Sequence, residues 1–174
     1  MNLYQEILLR RRSIRAFTDK KIGDEIVTSL LEAGQCAPSA CNKQPWRFLV
    51  VQKPKGRALI QQCYDKEWFT TAQLYIIVIG DHEEAWSRPS GDSVDIDTSI
   101  ATTQMMLQAH DLGLASTWVC AFDQDLCKRL FHIPEHQEPI SILAVGFPDP
   151  DYTSKAAYKR KPLSDIVIYE NYEE

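Results

Sequence analysis

Ala37-Pro38-Ser39-Ala40-Cys41-Asn42-Lys43-Gln44-Pro45-Trp46-Arg47-Phe48 is the stretch on which the fold turns. Its two prolines interrupt a helix, and Asn42 and Gln44 suit a turn, so it separates a helix upstream from a strand downstream. Before it, Asp24 can cap a helix whose Ile26, Val27, Leu30 and Leu31 share one face and which ends near Gly34. After it, Trp46 to Val51 reads as a strand. The small side chains let backbone approach a flat ligand, and the amides can hydrogen-bond hydroxyls or ring heteroatoms. A polar turn with Trp46 in the core explains the same residues equally well.

Further out, Leu3 to Arg12 reads as a helix, Pro54 to Tyr64 as a helix opened by proline, and Leu74 to Gly80 as a fully buried strand. The longest helix runs from Asp92 or Asp95 to Leu112. Its Ile96, Ile100, Thr103 and Leu107 are spaced for one buried face, and Gly113 is placed to terminate it. Leu114 to Ala121 is a strand, Asp123 caps a short helix to Phe131, Ile140 to Phe147 is another strand, and Ser164 to Tyr169 a final edge strand. The polar run Glu83 to Asp92 is a loop or lid. No repeat or linker divides the chain, so residues 1–174 form one domain mixing α and β.

At 174 residues, 44% hydrophobic and 25% charged, the chain can bury one real core. Its longest apolar runs fall far short of the ~20 residues of a spanning helix. No signal peptide is recognisable either, because the basic residues of the first segment follow its apolar ones; a cytoplasmic location is expected. Five cysteines without a repeated spacing fit reduced thiols in the same compartment. A formal net charge of -5 argues against a nucleic-acid or anionic-membrane surface.

Against that acidic background two cationic clusters stand out, Arg11-Arg12-Ser13-Ile14-Arg15 and Lys159-Arg160-Lys161-Pro162. Guanidinium groups offer planar paired donors and the serine a short one, a set suited to a terminal phosphomonoester. A solvated basic turn is the plainer alternative. No metal site is expected: His132 and His136 have helical spacing, but Pro134 between them breaks a helix. Neither a Gly-x-Gly-x-x-Gly nor a P-loop motif is present, an absence that agrees with an arginine-based phosphate grip.

With five landmarks in order, the chain resembles the nitroreductase family of FMN-dependent oxidoreductases. They are Arg11 to Phe17, Ala37-Pro38-Ser39 with Asn42-Gln44-Pro45-Trp46, Leu112 to Trp118, Ala144 to Pro148, and Arg160-Lys161-Pro162-Leu163. The resemblance implies an α+β sandwich with a central, mainly antiparallel sheet flanked by helices, assembled as an intimate homodimer with FMN at the subunit interface. It implies that Arg11, Arg12, Ser13 and Arg15 hold the phosphate, with Arg160 and Lys161 closing around it. Pro38, Ser39, Ala40 and Asn42 would come from the opposite subunit, and Trp118, Val119 and Cys120 would set backbone against the flavin, though glycine is common where Cys120 stands. The implied chemistry takes hydride from NADH or NADPH through flavin N5 to a small electron acceptor such as a nitroaromatic or quinone, in ping-pong order. It needs no catalytic acid or base from the protein. A flavin-binding sensor, carrier or flavin-processing relative is the alternative implied function.

Overall fold

The computed structural model describes residues 2–153 and 159–171. In chain order its elements are α1 (Leu3–Arg10), α2 (Asp24–Gln35), β1 (Trp46–Val51), α3 (Pro54–Ile60), α4 (Glu67–Thr70) and β2 (Leu74–Asp81). A two-residue hairpin, β3 (Ser87–Arg88) and β4 (Gly91–Asp92), follows; then come α5 (Val94–Asp111), β5 (Ala115–Val119), α6 (Gln124–Phe131) and β6 (Gln137–Gly146).

Every residue of β2 is buried, as its unbroken apolar run demands: such a strand is satisfied only with cover on both faces. It forms the middle of a four-stranded sheet ordered β1-β2-β6-β5, antiparallel throughout. On one face Val27 and Leu30 of α2 and Met105 and Ala109 of α5 pack against Ile76, Val78 and Leu143. On the other, Ile60, Phe69, Cys127 and Phe17 cover Tyr75, Ile77, Ile142 and Ala144. The α+β sandwich and its antiparallel sheet agree with the expectation.

Several boundaries differ, each for a local reason. The first helix stops at Arg10, because Arg11 at φ -53°, ψ 134° turns the chain out. The proline-opened helix tightens after Ile60 into a 3-10 turn, Gln61–Cys63. The last strand begins at Gln137 instead of Ile140, with Pro139 tolerated where the register against β2 shifts between Val78 and Ile79. The fifth strand is confined to Ala115–Val119. Gly113 ends α5 as expected: at φ +72° it completes a Schellman closure in which Gly113 N–H donates to His110 O and Leu114 N–H to Ala109 O.

Two expectations are overturned. The buried face of α5 is Val94, Asp97, Thr98, Ala101, Thr102, Met105 and Ala109. Ile96 is half exposed, and Ile100, Thr103 and Leu107 are only partly buried. Short side chains with Met105 face the sheet, and the stripe of Ile96, Ile100 and Leu107 turns away. Likewise Ser164 to Tyr169 is not a strand. Leu163–Asp165 is a 3-10 turn, and Leu163, Ile166, Ile168 and Tyr169 stand exposed without a partner strand among the described residues.

Candidate flavin site

The first basic cluster leaves α1 and lies along the outer edge of β5. Ser13 forms a parallel bridge with Ser116; the Ile14 amide donates to Ser116 O at 3.2 Å, and Thr117 Oγ1 donates to Ile14 O at 2.7 Å. Beyond them Phe17 bridges Pro148, and the Thr18 amide donates to Phe147 O. Gly146 makes this path possible: a Cβ there would lie 2.7 Å from Phe17 Cβ. The Arg11–Phe17 and Ala144–Pro148 landmarks are therefore one packed unit.

Each guanidinium has its own surroundings. Arg12 donates to the carbonyls of Leu9 and Arg11 at 2.5 and 2.9 Å. Arg15, exposed, lies 5.7 Å from the centre of the Trp68 ring. Nearby, burial pushes the His110 imidazole below its usual range, and Arg11, Arg12 and Arg10 push the same way by charge against Asp111. Three guanidiniums with a hydroxyl near a strand edge are the kind of donors a phosphate dianion needs.

Further along the same strand, Trp118 and Val119 end β5 and Cys120 is exposed just past it. The structure thus brings Arg11, Arg12, Ser13 and Arg15 together with Trp118, Val119 and Cys120 on one edge of the domain. Pro38, Ser39, Ala40 and Asn42 it places elsewhere. They precede β1, the opposite edge of the sheet, three strand spacings or about 14 Å from β5. Arg160 and Lys161 lie exposed in the C-terminal segment.

The Pro38 loop has an unusual backbone. Cys41, Asn42 and Gln44 all adopt positive φ, near 50°, within a 3-10 turn and its exit. Ser39 Oγ accepts from the Gln44 amide at 2.9 Å, and Gln44 Nε2 donates to Asn42 Oδ1 at 3.1 Å. Asp97 Oδ1 accepts from the Ala40 amide at 3.0 Å, and Ser93 Oγ donates to Asp97 Oδ2 at 2.8 Å. Reading the sequence missed Asp97, whose place in the first turn of a helix resembles an ordinary capping acid. Trp68 was missed as well.

The polar run expected as a loop carries the β3–β4 hairpin and is tied down by His82. Its Nδ1 lies 2.8 Å from Asp92 Oδ2 and its Nε2 3.0 Å from Glu138 Oε2. With a carboxylate on each nitrogen the ring is held as the imidazolium, and its pKa is raised by Asp92 foremost, against partial burial. His132 ends α6 in the left-handed region and His136 lies 3.6 Å from Asp81. Among the described residues no group of His, Cys, Asp and Glu could hold a metal ion, and no helix is long and apolar enough to cross a membrane.

Comparison with known proteins matches this architecture. The nitroreductase family signature covers residues 8–66 and 58–147. A protein of Methanothermobacter thermautotrophicus, provisionally named NADH dehydrogenase/NAD(P)H nitroreductase, is 33% identical over 82% of this chain and 76% of its own. A nitroreductase family protein from Clostridium difficile 630 superposes with a TM-score of 0.88 at 38% identity, over 99% of this chain and 100% of that one. An FMN-dependent nitroreductase from Clostridium difficile R20291 gives 0.81 at 27% identity, over 95% and 98%. The chain belongs to the nitroreductase family, and is an oxidoreductase of that fold.

Proposed function

We propose that the protein is a cytoplasmic, homodimeric FMN-dependent oxidoreductase. It draws reducing equivalents from NADH or NADPH and delivers them to a nitroaromatic, a quinone or a related small electrophile, one substrate after the other. The observation that carries this reading is the docking of Arg11–Arg15 along β5, which aligns an anion-binding cluster with the strand end at Trp118, Val119 and Cys120. When bound, FMN supplies the ring atom N5 through which hydride is exchanged.

The chain's own residues bind and orient. Arg11, Arg12, Ser13 and Arg15 hold the phosphate, and Arg160 and Lys161 close over it. The backbone of Trp118, Val119 and Cys120 would hold the flavin ring, its fixed N–H dipoles favouring developing negative charge there. Pro38, Ser39, Ala40 and Asn42 complete the opposite side from a second subunit, because within one chain they stand at the far edge of the sheet. No side chain is assigned a proton-transfer role.

The test is an absorbance spectrum of the purified protein, followed by anaerobic addition of each nicotinamide nucleotide. A flavin spectrum that bleaches with NADH or NADPH and returns with a quinone is the expected result. Purification without flavin, and no uptake on titration, would reject the reading. Bound FMN that neither nucleotide bleaches would favour the sensor, carrier or flavin-processing function.

A further inference from the structure

Three residues in one short loop, Cys41, Asn42 and Gln44, hold positive φ without being glycine. Such backbone persists only where the surroundings over-determine it. Within the loop the Asn42 amide donates to Ser39 O, the Lys43 amide to Ala40 O and the Gln44 amide to Ser39 Oγ. These bonds fold the loop on itself, and its exit is held to the sheet by the Trp46 amide on Gln44 O and the Asp81 amide on Pro45 O. Among the described residues, the hydrogen bond that joins residues 38–43 to a distant element is the one from the Ala40 amide to Asp97.

Asp97 is 1% exposed, and Ser93 beside it 3%. A buried carboxylate is tolerated only when donors surround it. Here they are the Ala40 amide on Oδ1, the Ser93 hydroxyl on Oδ2 and the amino end of α5, whose first turn it occupies. Among the described residues no Lys or Arg forms an ion pair with it. Its orientation is thus fixed by neutral groups, two of them on its own helix and the third on the loop.

We infer that Asp97 is a positioning residue for cofactor binding: oriented by Ser93, its carboxylate clamps the Ala40 amide and fixes Pro38 to Gln44 in the shape that receives the flavin. This rests on the proposal that the loop contacts FMN. The plainer role, stabilising the start of α5, predicts a lower melting temperature with no change in how tightly flavin binds.

The experiment compares full-length wild type, Asp97→Ala, Asp97→Asn and Ser93→Ala by FMN titration, thermal melting and hydrogen exchange of the 37–45 peptide. Losing a charge-assisted hydrogen bond makes about a tenfold or greater rise in FMN Kd the expected result for Asp97→Ala, with faster exchange confined to 37–45. Asparagine keeps an acceptor for Ala40 and a donor for Ser93, so Asp97→Asn restores most of the affinity. Wild-type affinity in Asp97→Ala, even with a lowered melting temperature, overturns the inference. Should that variant not fold, Ser93→Ala decides: a smaller loss in the same direction supports the clamp, and unchanged Kd and exchange refute it. Wild-type protein that takes up no FMN sinks the functional proposal instead. The clamp is then judged on exchange at 37–45 alone and falls if Asp97→Ala leaves it unchanged.

Discussion

Arg15 lies across the Trp68 ring, and Arg11 lies close enough to His110 to help depress its proton affinity. An exposed cation–π contact is worth about 0.5–1 kcal/mol, less than the roughly 1.5–3 kcal/mol of a charged hydrogen bond. Binding a phosphate therefore outweighs leaving the indole. Replacing either arginine with alanine is expected to weaken FMN binding by about that larger amount while the melting temperature stays near wild type; flavin occupancy unchanged in both variants would contradict the phosphate role. The arginines, Ser39 and Asn42 could be nominated from sequence because each sits in a short motif whose chemistry is local. Asp97 was not, since its loop partner lies 57 residues away and only the packing of α5 beside the loop joins them.

An unbroken apolar run gave β2 well, because its burial is two-sided, whereas helical spacing gave the wrong face of α5. On α5 the stripe through Ile96, Ile100 and Leu107 reads as the core face, yet the residues turned to the sheet are mostly small. Leu107 instead lines a groove of about 550 Å³ with Leu3, Tyr4 and Ile7 of α1, beside the exposed Leu8 and Leu9. An apolar pattern reports a need for cover without saying which molecule supplies it. The β3–β4 hairpin makes its own prediction. His82 links Asp92 at the hairpin's end to Glu138 on β6 only as the imidazolium. Because its pKa is raised, the link is fully present below the ordinary histidine value of about 6.5 and is lost as pH rises through the higher folded value. NMR titration of His82 should show a midpoint above 6.5 that falls toward it in Asp92→Asn. A midpoint at or below 6.5 in the wild type would remove the latch.

Over the whole molecule the decisive feature is strand order. With β1 and β5 at opposite edges, the Pro38 loop and the Arg11 cluster of one chain lie beside different edge strands. The expected final strand fails for a related reason: among the described residues its apolar side chains find no partner strand, and β1 is a terminal strand of the sheet. The second copy proposed above would meet both needs. Dilution, or a charged replacement of Leu8 or Leu9, should therefore release FMN and dissociate the dimer together; a flavin-loaded monomer by light scattering would refute shared sites.

That geometry has a genetic corollary. If sites are shared as proposed, then where normal and arginine-defective polypeptides are produced side by side, each mixed pair would keep one crevice built wholly from sound halves, and activity would track the count of intact halves. Two different lesions, one on each edge, would partly rescue one another when carried on separate alleles, and not when carried on the same one.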